Sequence, residues 1–252
     1  MAEETFNPEA GSGGANTSCD DITTQESANA LFDTLRDAAG GSATADTTAG
    51  NAGFFRGAAT TDRYDRLDRG IFTIDVSGFT GASGDVTGVT FGLYITIKSD
   101  QLGTGHSIGL VASAPADVAD IATGDYDSLG VTRLATDLTI SGITINQLTY
   151  FTLNAAGITA VKTAIDGDGI VKLGTRFDFD IDDSEVSLTW ANDEFTRIYV
   201  SMADNATAAQ RPVLTITYSS SDIKTVNGLA KASVKTYDGL AIASVKNING
   251  LA

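Results

Sequence analysis

The sequence predicts an all-β protein: an antiparallel β-sandwich of the jelly-roll kind, followed by a short C-terminal repeated β tail. Three observations carry that prediction. Val89, Phe91, Leu93, Ile95 and Ile97 alternate with Thr90, Gly92, Tyr94, Thr96 and Lys98, the period-two pattern of a strand with one face on a core. Similar runs recur along the chain, separated by Gly/Asp clusters such as Gly81-Ala82-Ser83-Gly84-Asp85 and Asp166-Gly167-Asp168-Gly169. Finally, the last thirty residues state one 11-residue unit three times, each copy with Asn-Gly or Asp-Gly at its centre.

Composition sets the bounds. The chain has 252 residues, room for one or two domains, and 42% of them are hydrophobic, enough to fill a core and exclude global disorder. With 27 Gly and only 3 Pro it is rich in turns without a collagen period. A net charge of −16 and a pI of about 4.2 exclude nucleic-acid binding through a basic surface. Cys19 is the only cysteine, so no intramolecular disulfide forms and assembly in a reducing cytoplasm is permitted. The first residues, Met1-Ala2-Glu3-Glu4-Thr5, show neither the basic nor the apolar region of a secretory signal. No run of 18 apolar residues is present, so no membrane helix is expected.

Three regions follow. Residues 1–52, rich in Gly, Ser and Thr, read as the first strands of the sandwich, residues 53–220 as its body, and residues 221–252 as the repeats. In the first region Ala28, Leu31, Phe32 and Leu35 fit one helical face, while Ala30–Arg36 also reads as a strand. Within the body, Ile71–Val76, Phe177–Ile181, Arg197–Met202 and Val213–Tyr218 read as strands. Ile158, Val161 and Ile165 share a helical face, with Asn154 placed to cap it.

The tail copies centre on Asn227-Gly228, Asp238-Gly239 and Asn249-Gly250, dipeptides that favour a type I′ turn because both residues take positive φ. Val226, Leu229, Tyr237, Leu240, Ile248 and Leu251 supply most of the apolar surface. One such strand–turn–strand buries too little alone, so copies are expected to order against one another or against a partner. Four lysines against two aspartates give residues 222–252 a charge of +2, on a body that carries −18.

Candidate chemistry is sparse. His106 is the only histidine; with Cys19 distant, neither a catalytic triad nor a histidine metal site has support, and a turn or surface position is expected. Asp178, Asp180, Asp182 and Asp183 leave two readings open: a calcium site of converging carboxylates, or a solvated strand face leading into an acidic turn. No other cofactor is indicated. Trp190, the only tryptophan, either stacks on a sugar ring or packs in the core, and Phe54, Phe55, Tyr64 and Tyr126 are looser candidates for stacking. Nothing singles out an acid in an apolar pocket, so no enzyme is expected.

Three segments together carry a resemblance. They are Leu67–Asp75, Val86–Ile95 and the closing Ala203–Tyr218, in which a polar loop and Pro212 lead into a final strand. On these, residues 5–218 resemble the DNRLRE-type jelly-roll domains, which are similar to carbohydrate-binding modules. The resemblance implies an extended segment ahead of the opening strand, which favours the strand reading near residue 32. The tail resembles the Asn-Gly-Leu/Val-Ala repeats that end many bacteriophage structural proteins. Body and tail together imply a non-enzymatic virion protein of the fibre, spike or decoration kind, assembled in the host cytoplasm. They also imply a homo-oligomer, a trimer above all, contacts with other virion proteins, and an outward sandwich able to meet host-surface glycan. The alternative is a carbohydrate-binding or adhesive module of a bacterial surface protein.

Overall fold

The computed structural model describes residues 1–9, 21–45, 47–103, 105–185 and 188–219, with backbone alone for 21–27, 225–226, 229–230, 236–237 and 240–241. The strands of the body are β1 (Ala2–Phe6), β2 (Asp21–Ala30), β3 (Ala43–Ala45), β4 (Ala49–Gly57), β5 (Tyr64–Asp75), β6 (Val86–Asp100), β7 (Ser107–Ser113) and β8 (Leu129–Arg133). They continue with β9 (Leu138–Thr139), β10 (Gln147–Thr152), β11 (Ile170–Phe177), β12 (Phe195–Ser201) and β13 (Val213–Tyr218). Three helices interrupt them: α1 (Phe32–Arg36), α2 (Ala155–Asp166) and α3 (Asp178–Asp182).

Among the described residues all thirteen strands join one sheet, ordered β1-β13-β6-β12-β4-β5-β11-β7-β8, with β2, β3, β9 and β10 on side branches. Two long strands turn it into two layers. One edge of β5 pairs with β4 over residues 64–69 and with β11 over 70–75, while β2 runs along its other edge. One edge of β6 pairs with β12 over residues 95–100 and with β13 over 86–92, and β10 takes its other edge. Strands that change partners in this way make the corners of sandwiches. The sheet consequently folds over itself, and Phe72 of β5 meets Phe91 of β6 at a ring-centroid distance of 5.2 Å. In a flat sheet the three strand spacings between them, about 4.8 Å each, would hold them about 14 Å apart. The all-β sandwich predicted from the alternating runs is therefore what the chain forms.

The core lies between the layers. Val89, Phe91, Leu93 and Ile95 of β6 are buried, as are Ile198 and Val200 of β12 and Leu214 and Ile216 of β13. Each such side chain is worth about 1.5–3 kcal/mol of burial. The helix expected around residue 161 is α2: Asn154 Oδ1 accepts the Gly157 N–H at 3.1 Å, Val161 is fully buried, and Ile158 and Ile165 pack against the core.

Two expected strands are helices instead. The segment near residue 32 is α1, and the reason is side-chain spacing. Phe32 and Leu35 are both fully buried, and residues three apart share a face in a helix but point to opposite faces in a strand. Phe32 then packs edge-on against Phe55, Tyr64 and Phe179. The run Phe177–Ile181 likewise divides: Phe177 ends β11, and Asp178–Asp182 form α3, closed by Asp183 at φ 53°. As a strand it would have placed Asp180 with Asp178 and Asp182 toward water. The turn of helix carries Asp180 inward.

Beyond the body, β14 (Thr225–Val226) pairs antiparallel with β15 (Leu229–Ala230), and β16 (Thr236–Tyr237) with β17 (Leu240–Ala241). The first two repeats thus hold strand pairs separated by two residues. The turn dipeptides Asn227-Gly228 and Asp238-Gly239, and the whole third copy with Asn249, Gly250, Ile248 and Leu251, lie outside the described residues.

Candidate functional site

The acidic run of α3 does not converge on one point. Each carboxylate has its own cation or donor. Asp182 takes both terminal nitrogens of Arg133 at 2.6 and 2.7 Å, and Asp183 lies 3.5 Å from Arg36. Asp178 accepts the backbone N–H groups of Ser107 and Phe179 at 3.0 and 2.8 Å. Among the described residues no three His, Cys, Asp or Glu side chains gather as a metal ion would need. The calcium reading assumed one shared strand face, which the helical turn removes. The Asp166–Gly169 turn is also occupied by protein, since Asp168 pairs with Lys172 at 2.8 Å and caps the Ile170 N–H.

Asp180 is the centre of a buried polar arrangement. Its side chain is fully buried between two guanidinium groups. Arg69 of β5 donates Nε to Oδ2 at 2.9 Å and Nη2 to Oδ1 at 2.7 Å; Arg176 of β11 repeats both bonds at the same distances. The remaining donors reach backbone carbonyls. Arg69 bonds the oxygens of Tyr126 and Arg36, and Arg176 those of Leu129, Gly130 and Asp180 itself. The Arg69 guanidinium also lies 4.2 Å from the centre of the Tyr126 ring, and the Tyr126 hydroxyl donates to the Leu35 oxygen. Burial alone would raise the Asp180 pKa, but Arg69 and Arg176 outweigh it and hold it at about 2. Burial pushes the Tyr126 hydroxyl well above its ordinary value. The donors of both guanidinium groups and both carboxylate oxygens are hydrogen-bonded, so this centre ties α1, β5, β8, β11 and α3 together.

His106 is buried, not exposed as expected. It sits 5% accessible against the Phe179 ring, with Nδ1 3.2 Å from Asp178. Trp190 is half-buried against the core, and its indole N–H donates to the Arg63 oxygen at 2.9 Å. Of the looser stacking candidates Phe55, Tyr64 and Tyr126 are buried, and only Phe54 is half-exposed.

Phe54 belongs to a surface that the sequence reading missed. On β12 the burial alternates, with Thr196, Ile198 and Val200 inward and Phe195, Arg197 and Tyr199 half-exposed. Cross-strand pairing sets Arg197 opposite Phe54 and Phe195 opposite Arg56 on β4, while Phe54 and Arg56 stand opposite Asp68 and Arg66 on β5. Phe54 and Phe195 stack at 5.6 Å, Arg66 lies 5.0 Å from the Phe54 ring centre, and Arg197 lies 4.1 Å from that of Tyr199. A chain of hydrogen bonds, buried at its Asn51–Asp68 link and part-buried at both ends, joins these arginines. Arg197 Nε donates to Asn51 Oδ1 at 3.0 Å, Asn51 Nδ2 to Asp68 Oδ2 at 2.7 Å, and Arg66 binds both Asp68 oxygens at 2.6 and 2.5 Å. Burial raises the Asp68 pKa, against the opposing pull of Arg66, Asn51 and Arg197. The signal lay in the spacing of Phe195, Arg197 and Tyr199, every second residue of one strand, but their partners on β4 and β5 are more than a hundred positions away.

No protein-family model matches the chain, and no curated protein matches it.

Proposed function

We propose that the protein is a non-enzymatic structural component of a bacteriophage virion, of the fibre, spike or decoration kind, with an outward jelly-roll sandwich and a tail that drives assembly. The observation that carries this reading is the tail. Its first two copies form two-stranded sheets of their own, separate from the thirteen-stranded sheet of the body. Two residue pairs per sheet are far too few for independent stability, so a repeat of this kind gains order from neighbours. The body's polar centre supports the same reading, because its buried carboxylate is bound through both oxygens by two arginines.

The repeats follow β13, whose last residue, Tyr218, pairs with Ala2 of β1. We infer a homo-oligomer joined through the +2 tails, with the acidic bodies held apart by their own charge. Quantitative mass spectrometry of gradient-purified particles tests the proposal: the chain should be present at a fixed, symmetric copy number. Its absence from purified particles would overturn it.

A further inference from the structure

The outer face of β5, β4 and β12 is built to hold something. It collects Arg56, Arg66 and Arg197 with Phe54, Phe195 and Tyr199, on a chain whose net charge is −16. Two of the guanidinium groups are fixed from below by side chains that are themselves buried, Asn51 at 7% and Asp68 at 1% accessible. Asp68 neutralises one of the two charges of Arg66 and Arg197, and Arg56 is paired with Asp65 at 2.9 Å. One positive charge remains on the face. It has free donors: the Arg197 terminal nitrogens bond no group among the described residues, its one hydrogen bond being through Nε to Asn51.

The strands decide which kind of ligand fits. β4 lies between β12 and β5, β12 between β6 and β4, and β5 between β2 and β4 along this stretch, so their backbone groups are already paired on both sides. An extended peptide could not add itself as a further strand. Recognition must run through side chains alone: aromatic surface for the apolar face of a ring, and an oriented guanidinium for a planar anion. We propose that this face binds an acidic glycan, with the carboxylate of a uronic or sialic-type residue on the outer nitrogens of Arg197 and a sugar ring packed on Phe54 and Phe195. The proposal deepens the outward-facing role given to the sandwich above and rests on that reading for its biological setting, but the binding itself belongs to the isolated protein.

Isothermal titration of the full chain with polygalacturonate, polysialic acid, methyl-esterified polygalacturonate and polyglutamate tests it. Binding is expected to one or both acidic glycans, weakening as salt rises. Esterification, which removes the carboxylate charge, should cost tenfold or more. Arg197→Met and Phe195→Ala should each weaken binding at least tenfold, with Arg197→Lys intermediate and all three melting as folded proteins. Lys172→Met, which removes a cation paired with Asp168 outside this face, serves as the control variant that should leave affinity unchanged. No binding to either glycan, equal binding of the esterified form, equal binding of polyglutamate, or indifference to Arg197→Met would overturn the proposal. Failure here leaves the virion reading intact, since particle copy number is measured independently.

Discussion

Arg69 and Asp180, 111 positions apart in the sequence, are joined through both carboxylate oxygens in the interior of the body. Arg176 grips the same two oxygens from the neighbouring strand. Removing the charge of Asp180 leaves two buried guanidinium groups uncompensated, a change that typically costs about 3–5 kcal/mol. Asp180→Asn should therefore lower the urea midpoint of the body sharply. The replacement of all three by apolar residues of similar volume should cost much less. Equal losses from the two variants would show that the pairing contributes nothing specific.

The same carboxylate sets an acid limit. Its folded pKa is about 2, below the ordinary aspartate value of 3.8, so its contribution is present above the ordinary value and is lost as pH falls toward 2. Wild-type stability should decline through that window, and Asp180→Asn should show a flatter profile there. Urea unfolding followed between pH 5 and pH 2 measures both.

Gly57 tests how tightly the β4–β5 corner is closed. A Cβ at this position would stand 2.1 Å from the Ala191 oxygen, a backbone atom that no side-chain rotation can move. Gly57→Ala should cost about 1–3 kcal/mol or more through overpacking. For a body of this size that is a fall in melting temperature of about 2–4 °C per kcal/mol. An unchanged melt would mean that the 191 segment yields freely.

The tail and body should separate functionally. Deleting residues 222–252 should leave a soluble body with an unchanged melt that no longer associates, and Gly239→Val should damage association by the same route. Light scattering that finds one oligomer with and without the tail would make the repeats a linker.

The legible parts of the fold are those fixed by neighbours in sequence. The alternation of β6 and β13, and the Asn154 cap with Ile158, Val161 and Ile165, each express a local period or a local hydrogen bond. What misled was also local. Phe177 to Ile181 alternates well enough to pass for a strand, and it is the pair of Arg176 and Arg69, the latter contributed by a distant strand, that makes it favourable for Asp180 to turn inward. His106 was misplaced for a related reason: the Phe179 ring that covers it arrives with α3. The arginine–aromatic face needed three strands in register before its residues became neighbours.

The pairing of β1 with β13 has a consequence for the order in which the protein is made. Glu4 accepts a hydrogen bond from the Tyr218 hydroxyl across 214 positions, and among the described residues β1 has no other strand partner. A ribosome therefore produces β1 more than two hundred residues before the strand edge on which it docks. Until then β1 waits unpaired, and the edge of β6 that β13 will cover stays open. The tail is the next stretch to emerge. Closure of the sandwich and emergence of the repeats are thus adjacent events in time.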